Sequence, residues 1–119
     1  MLMDKLTDEL DVWGCDTKGA LDRLLGDTGF YHECLMLFAE DKCFINLDLC
    51  LDKGDIVGAY EACHTLKGVA GNLGITPLFL SLSALAEKLK SGLYFAPSKE
   101  YSAVLKNRDK FILTCKRCG

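Results

Sequence analysis

His64 and Lys67 stand three residues apart in a segment, Ile56 to Gly74, that reads Ile-Val-Gly-Ala-Tyr-Glu-Ala-Cys-His-Thr-Leu-Lys-Gly-Val-Ala-Gly-Asn-Leu-Gly. An imidazole has an ordinary pKa near 6.5, so at neutral pH its unprotonated ring nitrogen is free to act as a nucleophile. A lysine ammonium one helical turn on is a compact, strongly charged donor for the oxygens of an anionic group. One nucleophile and one cation suit phosphoryl transfer, which rests on alignment and charge stabilisation.

At about 100° per residue, the same segment separates into two unlike helix faces. Ala59, Ala62, Leu66, Val69, Ala70 and Leu73 fall together as an apolar stripe, the pattern of a core face. Opposite them lie Val57, Tyr60, Glu61, His64, Lys67, Gly68, Gly71 and Asn72. Each glycine inside a helix costs about 1 kcal/mol relative to alanine, so Gly68 and Gly71 together weaken this one by about 2 kcal/mol. Both share the histidine face and not the leucine face. The expectation is a bared patch of backbone beside an exposed imidazole, where another molecule comes close.

The segment from Cys63-His64-Thr65-Leu66-Lys67-Gly68 through Val69-Ala70-Gly71-Asn72-Leu73-Gly74 resembles the signature of histidine-containing phosphotransfer (HPt) domains. The resemblance continues through Trp13-Gly14 with Asp16 and through Leu24-Leu25-Gly26-Asp27, covering about Val12 to Leu89 and fading beyond. Such domains are the intermediate carriers of multistep two-component phosphorelays. The resemblance implies a phosphoprotein of signal transduction. In it His64 exchanges a phosphoryl group with aspartates of receiver domains, and Lys67 contacts the phosphoryl oxygens. Val57, Tyr60, Glu61, Gly68, Gly71 and Asn72 then form the docking face. The implied partners are receivers of a hybrid sensor kinase, of a response regulator, or of both, and the partner receiver supplies the Mg²⁺.

The chain has no parts for independent turnover. No Gly-x-x-x-x-Gly-Lys-Ser/Thr or kinase-type glycine loop is present to bind ATP, and no acidic trio accompanies His64 to hold a metal. The expectation is a carrier without a cofactor of its own.

Two other readings belong to different classes. A cysteine enzyme would pair Cys63 with His64, but adjacent helix residues point about 100° apart and Cys63 falls towards the apolar side. A non-catalytic helical adaptor would dock a receiver-like partner through the Gly68/Gly71 face, and the presence of His64 disfavours it. Cys115 and Cys118 form a single Cys-x-x-Cys with no second pair and no histidine nearby, a weak pattern for zinc, and are expected in a frayed tail. His32 reads as a surface residue.

The elements that must hold this segment are all helical, with only two prolines in 119 residues. Met1 to Leu10 places Leu2, Met3, Leu6 and Leu10 on one side of a short amphipathic helix. Asp16 or Thr17 caps a two-turn helix through Ala20, Leu21, Leu24 and Leu25, closed by Gly26. Asp27 or Thr28 opens a long segment to Asp52, with Phe30, Cys34, Phe38, Ile45 and Leu49 on one stripe. Leu35, Leu47, Cys50 and Leu51 lie off that stripe, so the segment is either buried on two sides or bent near Asp41. Gly54 ends it and Asp55 caps the next helix, a turn short enough to make the two antiparallel neighbours. Thr76 as cap and Pro77 as N1 proline start a third helix with Leu78, Leu82, Leu85, Ala86 and Leu89, ending at Gly92. After a loop from Leu93 to Pro97, Ser98 starts a last helix that buries Tyr101, Val104, Leu105, Phe111, Ile112 and Cys115. Its many basic residues read as a solvated face.

The expected architecture is a single domain over residues 1–119, an antiparallel up-and-down four-helix bundle with one or two short N-terminal helices. Net charge is -3, which argues against nucleic acid as a partner. No apolar run is long enough to span a membrane, and no basic stretch followed by an apolar one marks a secretory signal. Seven cysteines at helical spacings fit reduced thiols acting as small apolar residues. A cytoplasmic monomer is expected.

Overall fold

The computed structural model describes residues 4–119, and among them every regular element is a helix. In chain order these are α1 (Lys5–Trp13), α2 (Thr17–Arg23), α3 (Thr28–Ala39), α4 (Cys43–Lys53), α5 (Ile56–Asn72), α6 (Thr76–Ser91) and α7 (Lys99–Cys118). The expected contributions of Leu2 and Met3 to the first helix lie outside the described residues. No helix among them is long and apolar enough to cross a membrane.

Local chemistry sets most of the boundaries. Asp4, Asp16, Asp27, Asp55 and Ser98 are N-caps whose side-chain oxygens accept from backbone amides of the first turn. Gly14, Gly54 and Gly92 end their helices in the left-handed conformation. At the start of α6 the expected cap is displaced by one residue. Ile75 occupies the N-cap and gives no side-chain bond, while Thr76 is already helical. Ile75 is fully buried. Its packing holds the junction where a cap does not.

The segment expected between Asp27 and Asp52 is two helices broken over residues 40–42, which decides for the bend near Asp41 among the two expectations. The Asp41 carboxylate accepts from the Cys43 amide at 2.8 Å, a local turn that competes with helix continuation. The break resets the helical phase, and the expected stripe does not hold. Phe30, Ile45 and Leu49 are exposed, while Tyr31, Leu35 and Phe38 in α3 and Phe44 and Leu47 in α4 are buried. Phe38 bridges the two helices and α7, with ring centroids 5.1 Å from Phe44 and 5.5 Å from Phe111.

The main helices pack in sequence, α4 on α5, α5 on α6 and α6 on α7. α7 closes back on α4 through Asp48, which accepts from the Tyr101 hydroxyl at 2.5 Å and the Arg108 guanidinium at 2.8 Å. Leu66, Leu78, Leu82, Leu85, Val104 and Phe111 are among the fully buried residues of the shared core. The C-terminal cysteines are not frayed. α7 runs through Cys118, and Cys115 is fully buried.

Candidate functional site

α5 is held on its apolar side by packing and at both ends by polar contacts. Ala59, Ala62, Leu66 and Ala70 are buried beside Cys63, with Leu73 just beyond the helix also buried. Four of these six are small, which brings the α5 backbone close to its neighbours. At the N-terminus Asp55 accepts from the Gly58 amide at 2.9 Å.

The C-terminal end relies on distant residues. The last turn of α5 has no basic side chain to meet its unpaired carbonyls. Arg23, at the end of α2, meets them instead. Its Nε donates to the Asn72 carbonyl at 3.1 Å, and its Nη2 donates to those of Gly71 and Asn72 at 3.1 and 3.0 Å. The Tyr31 hydroxyl donates to the Leu73 carbonyl at 2.7 Å from within the core. Gly74 then turns the chain at φ +72°, where an added Cβ would collide with the Asp16 carbonyl. Arg23 and Tyr31 are absent from the sequence-derived site. The signal available for them is the basic-poor last turn, which calls for outside donors without saying which residues provide them.

On the opposite face, His64 is exposed and its ring lies against Tyr60 one turn earlier, with centroids 5.9 Å apart and planes 18° from parallel. Tyr60 itself is half-buried and packs against the core. Lys67 is half-buried too, so its stem lies along the protein surface. Val57, Glu61 and Asn72 are exposed on the same helix, Val57 at 71%.

The two glycines differ. A Cβ at Gly68 meets nothing within 4 Å, so the position is open to solvent. At Gly71 a Cβ would lie 3.1 and 3.2 Å from two ring carbons of Phe79 in α6. Gly71 is half-buried, and its lack of a side chain makes room for that ring. It therefore departs from the expectation that both glycines bare backbone to a visitor.

Cys63 is fully buried and its Sγ donates to the Leu82 carbonyl at 3.2 Å. Burial pushes the thiol up to about 12, against the pull of the Lys67 ammonium. It is a packed structural thiol, unsuited to act as a nucleophile at neutral pH. His32 pairs with Asp4, linking the start of α1 to α3. Among the described residues no three His, Cys, Asp or Glu side chains gather closely enough to hold a metal ion.

The face therefore offers an accessible imidazole backed by an aromatic ring, a neighbouring ammonium and an open stretch of backbone. Comparison with known proteins finds no matching family model, no matching curated protein and no matching solved structure.

Proposed function

We propose that the chain is an HPt-type phosphorelay carrier, with His64 as the phosphoryl acceptor and donor. The observation that supports it most is the openness of Gly68 one turn from an exposed imidazole, on the solvent side of a helix whose other side is core. The sequential packing of α4 to α7, with α3 continuing α4 and with α1 and α2 at the N-terminal end, fits an antiparallel up-and-down four-helix bundle.

In the proposed step the unprotonated ring nitrogen of His64 attacks the phosphorus of a receiver's aspartyl phosphate. The N–P bond forms as the P–O bond to the aspartyl carboxyl breaks, and the carboxylate leaves with the electron pair. The other ring nitrogen keeps its proton. Lys67 supplies a charge-assisted contact to the phosphoryl oxygens. The Mg²⁺ that offsets phosphoryl charge in this chemistry belongs to the receiver, so the chain acts only within a complex and has no turnover alone.

The test is transfer of labelled phosphate from a charged receiver domain. The chain should gain label that acid removes and base does not. His64→Gln, with its helical circular dichroism intact, should gain none. A His64→Gln protein that still binds the receiver, beside a parent that binds without taking label, would make the chain an adaptor.

A further inference from the structure

The stacked pair of Tyr60 and His64 has a direction. Helical side chains lean towards the N-terminus, over the residue one turn before them. His64 thus leans over Tyr60, and the two rings lie nearly parallel, 18° apart. A side chain at position 68 would lean over His64 in the same way, but Gly68 has none and nothing else lies within 4 Å of its missing Cβ. The imidazole is covered on its N-terminal side and open on its C-terminal side. Tyr60 is anchored by its packing against the core, while His64 is exposed.

We infer that Tyr60 is a positioning residue for His64, fixing the plane of the imidazole so that its reactive nitrogen, whose lone pair lies in that plane, is held at the exposed edge of the ring while the face towards Gly68 stays uncovered. This role rests on the carrier reading and replaces simple partner docking for Tyr60. An exposed histidine otherwise samples several rotamers, and only some aim the lone pair at an incoming phosphorus. A ring held in the attacking orientation avoids that loss at each transfer. The stacking surface is the aromatic ring, and the Tyr60 hydroxyl has no part in it.

The test uses the parent, Tyr60→Phe and Tyr60→Leu, with two readouts. The first is proton NMR of the His64 ring, whose Hδ2 and Hε1 signals carry a ring-current displacement when an aromatic ring is stacked on them. The second is the rate of His64 phosphorylation by phosphoramidate, in which the N–P bond to His64 forms as ammonia leaves. This small donor needs no docking face. The displacement should be present in the parent and in Tyr60→Phe and be lost in Tyr60→Leu. Phosphorylation should be about as fast as the parent in Tyr60→Phe and about tenfold slower in Tyr60→Leu. Leucine retains apolar packing and helix propensity, so both variants are expected to fold. An unslowed Tyr60→Leu, or a phosphorylated parent with no displacement, overturns the role of Tyr60 and leaves the carrier reading standing. A parent with the displacement that takes no phosphate on His64, either from phosphoramidate or from a charged receiver with Mg²⁺, overturns the carrier reading, and the role of Tyr60 with it.

Discussion

Lys67 is where the proposed chemistry is most exposed to a single change. Its half-burial and its ammonium charge are two properties that Lys67→Ala removes together. The packing loss is that of a surface change, about 0.5 kcal/mol in stability. On the proposed carrier function it also removes a charge-assisted contact to the phosphoryl oxygens, about 1.5–3 kcal/mol. Transfer should therefore slow by roughly ten- to a hundredfold while the melting curve hardly moves. A transfer rate equal to the parent's, measured with the same receiver, removes Lys67 from the site. Cys63 shows the opposite arrangement, one residue before His64 and yet fully buried. Helical geometry alone separates the two, and this is legible from the sequence because adjacent positions diverge by about 100°.

At the scale of the helix, the two glycines of α5 make a paired prediction. Gly68→Ala and Gly71→Ala each add the same methyl group and the same gain in helix propensity, about 1 kcal/mol. At Gly68 nothing opposes it, so the protein should be stabilised by about that amount. At Gly71 the methyl presses on the Phe79 ring, and the gain should be smaller or absent. Equal stabilisation in thermal denaturation would contradict the packing role given to Gly71. Gly68→Gln should also be no less stable than the parent yet transfer far more slowly, because misplacement by about 1 Å can cost a hundredfold. The sequence could not distinguish these glycines, since the difference lies in a residue of the next helix. It did mark Asp55, Ser98 and the Gly54 and Gly92 stops, and Asp16 and Asp27 each as one of two candidate caps, because that chemistry is local, while the Asp4 cap went unread. The phase of α3 and α4 was hidden for the converse reason. No proline or glycine marks the break after Ala39, and one uninterrupted period carried across it places Ile45 and Leu49 inside when they are outside. The hold of Arg23 and Tyr31 on the end of α5 spans more than forty residues and has no local signature.

For the molecule as a whole, the thiols predict how stability responds to alkali. Burial pushes Cys15, Cys63 and Cys115 each up to about 12 from an ordinary value of 9.0. A raised folded-state pKa gives stability that is fully present below the unfolded value and lost as pH rises. The unfolded chain releases these protons from about pH 9, and the folded one holds them to about 12. Stability should therefore fall between those limits, and replacing the three cysteines with alanine should flatten the fall in denaturant titrations across that range. An unchanged slope would show that the thiols do not drive it. The same helices that shield the thiols leave His64 in solvent, where the proposed phosphoryl exchange takes place. The most direct measurement is the return step. The chain bearing labelled phosphate on His64 is mixed with an uncharged receiver and Mg²⁺, and the linkage of the label is followed. Label should leave the acid-labile, base-stable linkage on His64 and appear on the receiver in a base-labile linkage that hydroxylamine cleaves. Label that stays on the chain, or is released only as free phosphate, would contradict it.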